Sequence, residues 1–484
     1  MNPTIEAYIT KFDDCLNAIL VKELRQTVRG KFFWSIFLIY LVIICLILFF
    51  SLNEASRYNL FNGDSVATFL LVALYFIAGL LVPIKIGKKT SSEIGDATNE
   101  LLYTTTMSSK SIVTGKFLCG SVIIVMLYSA MVPFLSLTLF MGGVDLRILF
   151  FMLLYSFMLS NLGVIWQIYL ALWVGNTPGE TSSTVNTVMG SIFHLGFWIG
   201  SITFANSLIS DYSYHSKSTS FWVVFIVFIL AYIFIGGMLF GSTISRLEPE
   251  TSNRMYNTRF AASIVWIIGT IVTIFIDFDA LAGWTVCVFI VLMILSLNVY
   301  SEPDYYSQRI IDEIPDSAYN KFCKFPFFTG VANGLSWVVL VAVLTSCVAM
   351  MGTVIHYKHS SDFMSVVTAL VIFTLHVNAH GLIVNFLRNV IVGDGKKTGI
   401  GQIAFFSFIV TNIVTTVVFN TFLGYSRASE SIIVLINPFF CLSSRHDSLL
   451  VGLIGGGLWF GLGILCNIKT IIGQLSAYFN KGYD

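Results

Sequence analysis

Charge is scarce in this chain: lysine, arginine, aspartate and glutamate supply 11% of its 484 residues, where soluble domains carry about 25%. Hydrophobic residues supply 56%. Together these figures exclude an ordinary soluble protein. Neither sign of charge dominates, the net charge being +1, so nothing points to a nucleic-acid partner. The eight cysteines include no Cys-x-x-Cys pair, and most fall inside apolar runs. There a free cysteine acts as a small hydrophobe, so neither a disulfide framework nor a metal site is expected. The amino terminus, MNPTIEAYITKFDDC, lacks a basic start followed by a short apolar core, and no cleaved signal peptide is expected. Catalytic signatures are missing too. There is no nucleophile elbow, no His-Glu-x-x-His, and no polar domain large enough for a soluble active site. The nearest phosphate-loop lookalike, GDGKKTG at Gly393 to Gly399, lacks the spacing that wraps backbone N–H groups around phosphates. The chain is not read as an enzyme, and it holds no cofactor of its own.

What the chain does have is long apolar runs, at about 32–51, 65–87, 111–140, 147–175, 184–209 and 220–245, then at about 260–278, 280–299, 328–352, 362–391, 400–423 and 448–472. A crossing helix needs about 20 apolar residues, and helices satisfy their own backbone groups in lipid. The runs do not alternate as barrel strands would. The expected fold is therefore an all-α polytopic membrane protein of about twelve helices in two groups of six. Residues 1–31 form the leading segment, 32–246 the first membrane half, 247–259 a polar linker, 260–472 the second half and 473–484 a tail. Of the 27 basic residues, only Arg57, Arg147, Lys217, Lys358, Arg427 and Arg445 fall on one side of this layout. The positive-inside rule then puts both termini in the cytoplasm.

Three further stretches are distinctive. Residues Cys15 to Lys31 carry Leu16, Leu20, Leu24 and Val28 at every fourth position, with Lys22, Glu23, Arg25, Gln26 and Arg29 on the remaining surface. That is an amphipathic helix suited to lie in the membrane interface against anionic headgroups. Residues Lys85 to Lys116, between the second and third runs, are polar. Their middle can form an amphipathic helix with Ile94, Leu101 and Leu102 opposite Glu93, Asp96, Asn99 and Glu100. In the second half, Ser301 to Phe328 takes the corresponding place and can form a short helix through Ile310, Ile311 and Ile314. The segment 431–446 is apolar but too short to cross, and reads as re-entrant with its turn at Asn437-Pro438.

The run Glu100-Leu101-Leu102, Thr105, Met107-Ser108, Ile112 and Gly115-Lys116 resembles the coupling loop of type-2 ATP-binding-cassette (ABC) exporter permeases. There the pattern is E-L-L-x-x-T-P-L-S-x-x-x-I-x-x-G-K, preceded by a further glutamate for which Glu93 is the candidate. Thr106 stands here where the proline is usual. The string NAILVKELRQTVRGKFF likewise resembles the elbow helix that opens these permeases. The resemblance covers residues 12–145, and the remainder only in layout. It implies a prokaryotic cytoplasmic-membrane exporter subunit. A separate ATPase would dock on the cytoplasmic coupling helix through Glu93, Asp96, Glu100, Leu101, Leu102 and Thr105. ATP and magnesium would reside on that partner, and Lys22, Glu23, Arg25 and Arg29 would belong to the elbow. One chain would form the pathway, or two chains would pair as a homodimer or heteromeric permease.

Polar residues inside the spans are few. His376, Asn378 and His380 share the tenth run, Gln167 lies in the fourth and His194 in the fifth. They either line a substrate path or bond neighbouring helices. A zinc site wants three or four ligands and no carboxylate lies near, so no metal is assigned. Two other readings fit twelve helices. A secondary carrier would want mid-membrane charges and a basic Gly-Asp-Arg-type loop after the second span, neither of which is seen. A non-transporting membrane scaffold is the other.

Overall fold

Apolar surface on both sides of the same helix decides the architecture. In α2 (Lys31–Tyr58), Phe33, Tyr40 and Ile44 recur at helical spacing and are buried, yet the opposite face carries exposed Trp34, Leu38, Ile39, Val42, Leu46 and Phe49. In water that face would be polar; an all-round apolar helix belongs in lipid. The same holds elsewhere, Phe140 and Phe275 being 88% and 84% exposed. The computed structural model describes residues 17–58, 63–95, 107–141, 145–174, 219–249, 251–356, 360–392, 407–415 and 446–480, with short pieces near 194, 199, 403 and 437. Among the described residues there is no strand, and ten helices are long and apolar enough to cross a membrane. They coincide with ten of the twelve expected runs. The fifth and eleventh runs, 184–209 and 400–423, lie mostly outside the described residues.

The chain divides into two compact units, one of residues 1–221 and 242–247, the other of 222–241 and 248–484. The first begins with α1 (Ala18–Arg29), which Gly30 separates from α2. A second crossing helix is made of α3 (Gly63–Phe76), a π-helical turn at Ile77–Leu81, and α4 (Val82–Gly95). Next come α5 (Ser109–Met141) and α6 (Leu146–Val174). Tyr40, Ile44, Leu70, Leu74, Ile124, Met131 and Ile168 form the centre of their common core. The next helix, α7 (Thr219–Leu247), contributes to both units.

The second unit continues with α8 (Tyr256–Ile276) and α9 (Phe278–Val299). Asp277 caps α9, its Oδ1 accepting from the Phe278 N–H at 2.6 Å. The expected short helix at 301–328 forms as α10 (Gln308–Glu313), followed by α11 (Ala318–Lys324) and a 3-10 turn at Phe325–Phe327. Ile310 and Ile314 point inward. Beyond them run α12 (Val331–His356), α13 (Ser360–Val392), α14 (His446–Cys466) and α15 (Ile468–Phe479). The last span thus ends at Cys466, and much of the expected tail is helix. Four-residue glycine spacing in α14 predicts a close-packing stripe through Gly452, Gly456, Gly457 and Gly461. Packing instead uses Gly456, against His376 and Leu375, and Gly463, against Leu382, while Gly457 and Gly461 face open space. Of the re-entrant segment 431–446, only Asn437, Pro438 and His446 are among the described residues.

Candidate functional site

Glu23 is the single acidic residue of α1, set among Lys22, Arg25 and Arg29. Periodicity places it on the polar surface. The structure instead buries it, leaving it 4% exposed, because two other helices bring lysines to it. Its Oε2 lies 2.5 Å from Lys89 Nζ in the middle of α4, and its Oε1 lies 3.0 Å from Lys116 Nζ in α5. Lys116 also pairs with Glu93 in the last turn of α4. Lys89 donates in addition to Gln26 Oε1 at 3.1 Å. The result is an alternating chain Lys89–Glu23–Lys116–Glu93 with no net charge. Burial by itself would raise the Glu23 pKa; the charges of Lys116 and Lys89 and their hydrogen bonds outweigh it and hold the carboxyl below its usual range. By contrast Lys22, Arg25 and Arg29 remain exposed.

Two of these helices, α1 and α5, meet at a second point. Asn17 caps α1, its Oδ1 accepting from the Ile19 N–H at 2.9 Å, while its Nδ2 donates to the Ser111 carbonyl at 2.7 Å. Ser108 caps α5 by accepting from the Ser111 N–H at 3.3 Å. Gly115 lets α1 and α5 touch: a Cβ there would stand 2.8 Å from the Ile19 Cβ. Three letters of the loop pattern thereby acquire physical roles in this chain. Ser108 starts the helix, Gly115 clears room for α1, and Lys116 clamps Glu23 and Glu93. Gly115→Val is expected to overpack this contact and cost about 1–3 kcal/mol, loosening α1 while α5 persists. Hydrogen exchange resolved by peptide checks it; unchanged protection of residues 18–29 would refute the assignment.

The expected docking stretch is reached only at its edges. Glu93 sits in α4, which continues the second span to Gly95 instead of ending near 87. Asp96, Glu100, Leu101, Leu102 and Thr105 lie outside the described residues.

The intramembrane polar residues fall in different units. In the first, His194 Nε2 donates to the Gly79 carbonyl at 2.7 Å. Gly79 lies inside the π turn, where the Val82 N–H reaches back to Ile77; such turns cluster at functional positions. Gln167 is buried against Gly87. In the second unit, His376 and His380 bond the carbonyls one turn back, to Ile372 and His376, each at 2.9 Å. Asn378 Oδ1 accepts from the Tyr300 hydroxyl at 2.6 Å. His376 and Asn378 are buried and His380 is partly buried, and the Tyr300 bond ties α13 to α9. No group of three or more metal-binding side chains occurs among the described residues.

Sequence reasoning missed Asn17 and Lys89 as site residues, and gave Lys116 a place in the loop pattern without its ion pairs. The available signal was Glu23 itself, a lone carboxylate in a basic helix. Compared with family models, with curated proteins and with solved structures, the chain has no match. Fold and composition together define a polytopic helical membrane protein.

Proposed function

We propose that this chain is the membrane-spanning subunit of an ABC transporter, an exporter, driven by a separate ATPase. The observation that carries the proposal is the ion-pair chain around Glu23. It ties the amphipathic α1 to the last turn of α4 and to α5, the two helices that bracket residues 96–106. A partner pressing on that stretch would move α1 together with the second and third spans. Such joint motion is what converts docking into a change in the membrane. The chain itself would hydrolyse nothing; ATP and magnesium would be bound by the partner. The resemblance of Glu100 to Lys116 to a coupling loop supports the same reading, as does the basic bias of the cytoplasmic side in a twelve-helix layout.

Purification of the detergent-solubilised chain from its own cells, wild type beside Glu100→Lys, tests the proposal. A nucleotide-binding subunit is expected with wild type and is expected to be lost on charge reversal. Recovery of wild-type protein with no ATPase under gentle conditions would set the proposal aside in favour of a carrier or scaffold.

A further inference from the structure

A cavity of about 300 Å³ opens where α1 turns into α2. It exists because the two helices do not run on: Gly30 adopts an extended conformation and leaves a corner between α1, the start of α2, the first half of α4 and the middle of α5. Its composition is two-sided. Lys31, Lys85 and Lys89 line it, and among the described residues no acidic one does. Glu23, the nearest carboxylate in the ion-pair chain, is shared between Lys89 and Lys116. Buried Phe33, Val82, Ile123 and Leu127 make the deeper wall.

The polarity is also ordered along the membrane normal. Lys31 opens α2, and Lys85 and Lys89 lie in the polar half of the second crossing helix (Gly63–Gly95), one turn apart on one face, so the three lysines sit on the side of the cavity away from the apolar wall. From Lys31 to Phe37 and from Lys89 to Val82 the wall runs roughly 9–11 Å deeper, at about 1.5 Å per residue. Cationic groups at headgroup level over an apolar slot are complementary to an amphiphile with a negative head. A free inorganic anion would use the lysines and leave the slot unfilled. Basic pockets between transmembrane helices are known to take anionic lipid heads. The volume, at the lower end of the roughly 300–1,000 Å³ of ligand pockets, suits the head and first methylenes, with the remaining chain lying in the bilayer.

We infer that this cavity binds an anionic phospholipid, its phosphate against Lys31 and Lys85 and its upper acyl chain along Phe33, Phe37 and Leu127. The site lies beside the Glu23 ion pairs, so its occupant would brace α1 whatever partner the chain has. This inference does not depend on an ATPase.

Native mass spectrometry of the purified full-length chain tests it, with dioleoylphosphatidylglycerol, dioleoylphosphatidylcholine or inorganic phosphate added. Phosphatidylglycerol is expected to be retained over phosphatidylcholine. Lys31→Gln with Lys85→Gln is expected to weaken that retention about thirtyfold, the worth of two interfacial lysines. Ile36→Trp narrows the slot with every charge kept, and is expected to lower retention as well; it carries the test should the double variant misfold. Equal retention of the two lipids, or retention unchanged in the folded variants, would overturn the inference. So would displacement of the lipid by millimolar phosphate, which would mark a small-anion site.

Discussion

Lys116→Met is expected to cost about 3–5 kcal/mol, the penalty for breaking a buried ion pair by removing one partner. Glu23 is left buried with Lys89 alone, and Glu93 loses its cation. The loss should be local, since α1 is held to the rest of the unit by this cluster, the Asn17 cap, the Ile19–Gly115 contact and the packing of Leu20, Leu24 and Val28 on the core. In hydrogen exchange the opening of residues 18–29 should rise by about two to three and a half powers of ten, at 1.4 kcal/mol per factor of ten. Lys116→Met combined with Glu23→Gln should recover a large part of that loss, because no uncompensated carboxylate then stays buried. A single variant with wild-type protection of α1 would show that the pairs seen here do not hold the helix.

The pH dependence has a definite sign. The folded Glu23 carboxyl is held below its ordinary value of 4.5, so its contribution is fully present above that value. It is lost as pH falls through the lowered one. Wild-type α1 should therefore loosen in acid, and Lys116→Met should show a shallower acid limb, having lost the charge that lowers the pKa most.

How much of this was legible in the sequence depends on distance along the chain. Helix positions followed from run length alone, since lipid admits few other spanning forms. The short α10 followed from Ile310 and Ile314, whose spacing is local. Glu23 was misplaced because its neighbours at helical spacing are polar, and its lysines arrive from α4 and α5. The layer around α10 was invisible for the same reason. Its core includes Tyr478 of α15, and Gln474 accepts from the Ala332 N–H at 2.8 Å while donating to the Pro303 carbonyl at 3.0 Å. Both residues come from a stretch that composition marks only as a tail. In contrast Ser108, Gly115 and Lys116 stood out as a pattern before any contact was known. Each serves an interhelical junction or a cap, and a junction between fixed partners constrains spacing in a way that a solvated loop does not.

The second large effect is expected at Arg259. Its guanidinium is almost wholly enclosed, pairing with Glu302 and donating to the Phe328 carbonyl. Glu302 in turn accepts from the Gly330 N–H at 2.6 Å. That N–H is presented by a turn with φ +144°, a conformation open to glycine and strained for other residues. Gly334 leaves the space the guanidinium fills. One buried pair thus fastens the start of α8, the chain after α9 and the entry to α12. Arg259→Met strands the Glu302 carboxylate with one donor, and a loss of about 3–5 kcal/mol is expected. Arg259→Lys should rescue little, because a point ammonium cannot reproduce a fork aimed at two acceptors. Arg259→Met with Glu302→Gln should recover much of the loss. Thermal unfolding of the purified chain in detergent gives the ranking, and exchange in residues 308–327 and 468–479 gives the location. Were Arg259→Met close to neutral while Tyr478→Ala unfolded the layer, the aromatic cluster of Phe325, Phe328 and Tyr478 would be what holds it, and the ion pair would only set its register. The Glu23 and Arg259 clusters differ in a way that makes the comparison useful. The first alternates four charges with its ends partly open to solvent, so a lost member is partly replaced by water. The second is a closed pair, both side chains being almost wholly enclosed, so a lost member leaves its partner with less help from solvent.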